Sequence, residues 1–295
     1  MLTQEQRLEL AERMRSGVQA ASRVTQEEWD AFPAEVQEMA VPTSQGDARV
    51  FAIKAGSGEE KRPLVLNFHG GGFIGKRMDR DELFCRKAAN QFGAVVLDVD
   101  YKLAPANPYP VAALECWDVA KWAYENAALL GADPEKMILI GHSSGGNLVA
   151  GICMRAGQFG TFKPLCAVID YAPLDLKTDP ADKRRSICDM PAERAQMYNA
   201  KYITPEKAED PFVSPVFASA MMLEGFPSTL VVSAGEDSLC EEDELFAMKL
   251  AQAGVEVTCK RFTESIHGFV INRMCQWQEA TELIFDFVGH ALKLG

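Results

Sequence analysis

Basic charge is scarce in this chain of 295 residues. Its 30 Lys and Arg stand against 42 Asp and Glu, for a net charge of −12 and a pI near 4.9. Nucleic-acid binders draw most of their affinity from phosphate contacts and carry basic faces, so no nucleic-acid partner is expected. Long apolar runs are missing as well. No stretch approaches the roughly 20 uninterrupted apolar residues of a membrane-spanning helix, and no basic amphipathic helix favours an anionic bilayer. No membrane partner is expected. The first turns of the chain alternate charged and apolar residues at helical spacing, without an apolar run of signal-peptide length, which points to the cytoplasm. The 8 cysteines (Cys85, Cys116, Cys153, Cys166, Cys188, Cys240, Cys259 and Cys275) form no C-x-x-C pair and have no neighbouring His. Reduced, mostly buried thiols are expected, with a disulfide pair as the alternative and no zinc site. Internal repeats and low-complexity linkers are also absent, so organisation has to be read from periodicity.

Two helix starts open the chain. Thr3 with Gln6, and Thr25 with Glu28, have the capping-box spacing, and residues 1 to about 40 read as a short helical segment. Beyond them, β-branched and apolar runs at 48–53, 64–68, 94–99, 137–140, 167–171, 229–233 and 255–262 read as strands. Helical patterns at 79–92, 111–130, 143–157, 241–253 and 274–292 separate most of them. Apolar strands alternating with helices imply right-handed crossovers and a mostly parallel central sheet flanked by helices, an α/β fold. In such sheets the chemistry sits beyond the carboxyl ends of the strands. The stretch between Leu174 and Pro227 breaks the alternation. It is far longer than the usual connection of about 4–6 residues, so a lid or cap is expected, at about 178–225, with the N-terminal segment (1–45) beside it and the catalytic domain over 46–295.

Gly141, His142, Ser143, Ser144 and Gly145 follow an apolar strand and open a helix-like run, the strand–turn–helix context of a nucleophile elbow. His69, Gly70, Gly71 and Gly72 close the strand at 64–68. Acyl transfer builds negative charge on a carbonyl oxygen, and consecutive glycines can aim backbone N–H groups at it. Gly70, Gly71 and the N–H of Ser144 are therefore candidate oxyanion donors. No Lys-Ser/Thr pair follows the glycines, which argues against a phosphate loop. His69 reads as orienting that loop. The order Ser, Asp/Glu, His expected for this fold leaves two of the 4 histidines downstream of Ser143. His267 directly follows a strand, whereas His290 falls near the end of the last helix, so His267 is the candidate base. Asp237, beyond the strand at 229–233, is the preferred acid on position, with Glu236 and Asp243 in reserve.

These segments together, HGGGF (69–73), DYKLAPANPYPVA (100–112), DPEKMILIGHSSGGN (133–147), GEDSL (235–239) and IHGF (266–269), resemble the hormone-sensitive-lipase-like branch of the α/β-hydrolases, the bacterial family IV esterases. The resemblance implies an α/β-hydrolase fold with a small helical cap, Ser143 as nucleophile, Asp237 as acid, His267 as base, and Gly70, Gly71, Gly72 and Ser144 around the oxyanion. It implies a carboxylesterase acting on short acyl chains, acetyl to about hexanoyl, with no cofactor and no metal, and with a homodimer paired near the C-terminal helix. Amidase or thioesterase chemistry on the same residues is the alternative, and so is a ligand-binding member of the fold, although the plant hormone receptors of that kind have lost the histidine that stands here as His267. Two departures stand out. His142 and Ser144 replace the Asp and Ala usual in this branch, and His142 is expected to hydrogen-bond within the turn. The basic run Lys183, Arg184 and Arg185 fits an acidic substrate, or more plainly a solvated charge run.

Overall fold

A computed structural model describes residues 3–16, 23–56 and 61–294. Eight strands form one sheet. In chain order they are β1 (Glu35–Val41), β2 (Ala48–Lys54), β3 (Arg62–Phe68), β4 (Val95–Asp100), β5 (Ala132–His142), β6 (Cys166–Asp170), β7 (Ser228–Ala234) and β8 (Val257–Phe262). Their order across the sheet is β1-β2-β4-β3-β5-β6-β7-β8. β1 and β2 pair antiparallel, as do β2 and β4, and every later pairing is parallel.

The strand residues alternate between two cores because successive side chains leave a strand on opposite faces. Leu64, Leu66, Leu97, Leu139, Ile169 and Val231 face one core, while Val65, Val96, Ile138, Val168 and Val232 face the other. Helices α4 (Val111–Glu125), α6 (Ser144–Phe159) and α9 (Cys240–Gln252) cover the first. Helices α3 (Asp79–Phe92) and α11 (Trp277–Leu294) cover the second. Burial on both faces explains why the central strands read as continuous apolar runs. Short helices α5 (Ala127–Leu130), α8 (Ala220–Leu223) and α10 (Phe269–Asn272) complete this part.

Two expectations need correction. The helical reading of residues 1 to about 40 holds for α1 (Gln4–Ser16) and α2 (Gln26–Ala31), and both capping boxes form. Residues Glu35–Val41, however, are an edge strand paired with β2, so the 1–45 segment is part helix and part sheet. The strand carries polar residues at exposed positions and buries only Val41, which hides its period. The single helix expected over 111–130 breaks at Asn126, whose φ of −112° and ψ of 17° leave the helical region; its Nδ2 donates to the Trp122 carbonyl at 2.9 Å. The cysteines are as expected: all eight are free thiols and six are buried, with Cys259 exposed on the edge strand β8.

Between β6 and β7 the chain makes its long excursion. Helix α7 (Ala192–Tyr202) is its main element, followed by 3-10 turns at Pro205–Lys207 and Pro215–Phe217. It docks on the loop after β3, where Tyr202 stacks on Phe73 with centroids 3.7 Å apart. Among the described residues, no helix is long and apolar enough to cross a membrane.

Candidate active site

Ser143 sits between the end of β5 and the first turn of α6. Its φ of 53° and ψ of −121° lie outside the regions a side-chain-bearing residue favours, the strain expected of a nucleophile presented at a sharp turn. The Ser143 N–H donates to the Asp170 carbonyl at 2.8 Å, which anchors the turn to β6. Helix α6 crosses so close to β3 that a Cβ on Gly145 would lie 1.9 Å from the Phe68 carbonyl oxygen. Only glycine fits there.

Two loops bring the remaining groups to Ser143. Asp237 follows β7, and His267 follows β8. The loops can touch because Gly235 has no side chain: a Cβ there would lie 2.7 Å from Thr263 Cα. Ser143 Oγ lies 2.9 Å from His267 Nε2, and His267 Nδ1 lies 2.6 Å from Asp237 Oδ2. All three are buried. Burial pulls the His267 pKa down, but the charge and hydrogen bond of Asp237, with Asp189 and Asp170 behind it, push harder, so it ends above the ordinary imidazole value. The reserve acids lie elsewhere. Glu236 is held by Arg7 of α1 at 2.7 Å, and Asp243 accepts the Ala172 N–H at 3.0 Å. His290 is exposed on α11.

The glycine loop runs beside the nucleophile. Gly70 approaches it closely enough that a Cβ there would be 3.3 Å from Ser143 Cβ, and Gly70, Gly71 and Gly72 line the same cavity as Ser143 and His267. The His69 ring is fully buried, stacks on Tyr101 at 4.3 Å and holds the Gly70 carbonyl through Nδ1 at 2.7 Å. Ser144 lies at the first position of α6, its Oγ 3.2 Å from the Tyr101 hydroxyl. The cavity has a volume of about 440 Å³. Helix α7 roofs it with Arg194, Ala195, Tyr198 and Asn199. No described residue of the N-terminal segment lines it; α1 reaches the loop that carries Asp237 through the Arg7–Glu236 pair.

Both departures from the family pattern resolve differently from expectation. His142 does not bond within its turn: its Nδ1 meets Asp170 Oδ2 on the neighbouring strand at 2.7 Å. The basic run is engaged in internal bonds, although Arg184 and Arg185 remain exposed. Lys183 forms a buried pair with Glu242 at 2.5 Å, Arg184 donates to the Gly235 carbonyl at 2.9 Å, and Arg185 pairs with Asp189 at 3.2 Å. Two residues beside the triad carry no signal in the sequence. Tyr171 packs its ring edge-on to His267 at 5.3 Å. Asp189 sits near Asp237 and His267, with its pKa pushed up to about 6 by burial and by the charge of Asp237. Among the described residues, no three His, Cys, Asp or Glu side chains converge as a metal site.

Comparison with known proteins supplies the family. A sequence model described as alpha/beta hydrolase fold matches residues 65–271. The chain belongs to the α/β-hydrolase fold family. Within it, this hydrolase falls in the hormone-sensitive-lipase-like branch: it is 39% identical to human hormone-sensitive lipase over 103 residues, 35% of this chain and 10% of that protein. It is 31% identical to an arylesterase of Saccharolobus solfataricus over 210 residues, covering 70% of this chain and 68% of the relative. Among solved structures, a hyperthermophilic esterase from Pyrobaculum calidifontis superposes with a TM-score of 0.83 at 29% identity, covering 97% of each chain.

Proposed function

We propose that this carboxylic ester hydrolase is a serine esterase for small esters with short acyl chains, acetyl to about hexanoyl, working through an acyl-enzyme on Ser143. The observation that carries the reading is the unbroken line from Ser143 Oγ through His267 to Asp237, at 2.9 and 2.6 Å, opening on one cavity. Ser143 Oγ attacks the ester carbonyl carbon as His267 Nε2 takes its proton. Asp237 holds the imidazole with its proton on Nδ1 and stabilises the imidazolium that forms. The N–H groups of Gly70, Gly71, Gly72 and Ser144 are the donors assigned to the oxyanion. The intermediate collapses with cleavage of the bond to the alcohol oxygen, which leaves with the proton from His267. Water then attacks the acyl-enzyme by the reverse proton route and releases the acid.

The cavity lies toward the small end of the roughly 300–1,000 Å³ typical of small-molecule sites, which supports short acyl chains. The excursion around α7 serves as a cap. A second copy of the chain is assigned to the exposed edge strand β8, a reading that a solution mass of one chain would overturn. Hydrolysis of p-nitrophenyl esters from acetyl to dodecanoyl, by the wild type and Ser143→Ala in parallel, tests the main proposal. Turnover should peak at short chains and vanish in the variant. Turnover on amides or thioesters alone would overturn the ester reading, and an active Ser143→Ala would overturn the nucleophile.

A further inference from the structure

The basic run of the cap makes internal bonds, whereas a half-buried cation of the cavity wall makes none among the described residues. Arg80, in the first turn of α3, lines the cavity that holds Ser143 and His267. It is half-buried, and its Nε is sealed from solvent without a hydrogen-bond acceptor among the described residues. The groups that act on its charge do so without a hydrogen bond. Burial pulls its pKa down, Asp81 and Tyr171 oppose that, and Arg273 adds to it. A guanidinium carries five N–H donors in a planar fork, and leaving such donors half-buried without acceptors is unfavourable.

The surroundings are built for a polar group. Phe84, one turn along α3 and on the same face as Arg80, touches the His142 ring edge-on at 4.7 Å. His142 lines the cavity too, and its Nε2 is buried without a partner. Asn272, at the end of α10, lines it with Oδ1 buried and likewise without a partner. His142 is 1% and Asn272 5% exposed, so neither finds compensation in bulk solvent. Asp81 lines the same wall, but its Oδ2 accepts the Met78 N–H at 2.8 Å and so faces the start of α3. Burial also pushes its pKa up, toward the neutral form. Elsewhere, cations around Arg80 are held in place: Arg273 pairs with Glu28, and Lys87 lies over the rings of Phe32 and Trp277 at 5.3 and 5.0 Å.

We propose that Arg80 is a specificity residue that receives a carboxylate carried by the ester substrate. The preferred substrate is then a monoanionic ester, such as the half-ester of a short dicarboxylic acid. A planar carboxylate satisfies the guanidinium fork with two parallel hydrogen bonds. This inference rests on the esterase reading above for its kinetic arm only.

The test offers the carboxylate on each side of the scissile bond. Mono-p-nitrophenyl glutarate against p-nitrophenyl hexanoate probes the acyl side, and butyryl glycolate against propyl butyrate probes the alcohol side. The wild type should favour the anionic member of one pair, and Arg80→Gln should lower that ratio of kcat/KM by about ten- to a hundredfold, mostly through KM. Arg80→Lys should recover part of it. No anionic preference on either side, or an Arg80→Gln variant that slows both members of a pair alike, would overturn the proposal. Calorimetric titration of mono-p-nitrophenyl glutarate into Ser143→Ala, with and without Arg80→Gln, separates the two claims. Arg80-dependent binding to Ser143→Ala, together with a wild type that turns over none of these esters, would sink the esterase reading and leave the anion site standing.

Discussion

The carboxyl end of the sheet and the excursion that roofs it are held by different kinds of contact. At the sheet end, backbone meets backbone: a Cβ on Gly145 would fall 1.9 Å from the Phe68 carbonyl oxygen, and one on Gly235 would fall 2.7 Å from Thr263 Cα. The excursion meets backbone at its far end, where a Cβ on Gly157 would fall 2.6 Å from the Glu224 carbonyl oxygen, but around the cavity it is tied down largely by side chains, through Lys183 to Glu242, Arg185 to Asp189 and Tyr109 to Asp210. Backbone contacts leave no room for adjustment, so they define where Ser143 and His267 sit. Side-chain ties can be exchanged or relaxed, so the roof is the part of the molecule where substrate fit can change without disturbing the chemistry.

The largest expected effect tests the sheet end directly. His267→Ala should lower kcat by about 10⁴- to 10⁶-fold, because the triad acts as a unit, while the thermal unfolding transition remains cooperative. Near-normal turnover would remove His267 from the mechanism. Gly145→Ala should come next. Its new methyl group meets backbone that cannot withdraw, so a loss beyond about 4 kcal/mol is expected, read as failure to fold or a collapse of Tm. A soluble, fully active Gly145→Ala would show that the elbow is less rigid than its spacing implies.

Two pH profiles separate the regions further. A protonated His267 cannot act as base, so kcat/KM should fall as pH drops through an apparent pKa that the carboxylates of Asp237, Asp189 and Asp170 hold above the ordinary value of about 6.5. Loss of activity only well below that value would contradict the electrostatics of the site. Where the roof is tied to α9, burial raises the Glu242 pKa to about 7 against its ordinary 4.5, with Lys183 and the N–H groups of Asp175 and Leu174 opposing. A carboxyl raised on folding favours the folded state fully below its unfolded pKa, and the contribution is lost as pH rises through the folded one. Stability should therefore decline by up to about 3 kcal/mol between pH 4.5 and 8, measured by denaturant titration, and Glu242→Gln should flatten the curve. An unchanged slope in that variant would remove Glu242 as the cause.

The smallest effect is expected where the two regions meet. A Cβ on Gly72 would lie 2.7 Å from the ring of Tyr198, as tight as the contact at Gly235, but against a side chain that can turn aside. Gly72→Ala should therefore fold and act mainly on KM, within about tenfold. If it were as damaging as Gly145→Ala, the distinction between the two kinds of contact would fail.

The elbow was legible because strand, glycine, serine and helix follow one another within a few residues, and each step has a local steric cause. Asp237 and His267 were readable from chain order and from their places after apolar strands. Strand β1 was not, since an exposed edge strand has little reason to show an apolar period. Nor was Asp170 as the partner of His142, because that contact joins residues from neighbouring strands. The bonds of Lys183 and Arg184 were not legible either, because Glu242 and the Gly235 carbonyl reach them only through tertiary structure.

By itself, the sequence determined the parallel sheet, the strained serine turn, the glycine loop and the order of the acid and base, all set by local sterics and by periods of burial. Only the tertiary structure decided that Asp170 meets His142, that Lys183 and Arg184 find partners in Glu242 and the Gly235 carbonyl, and that Arg80 lines the cavity without a hydrogen-bond acceptor among the described residues. Those outcomes depend on distances between residues far apart in the chain, and Coulomb and hydrogen-bond energies respond to that distance and not to separation in sequence.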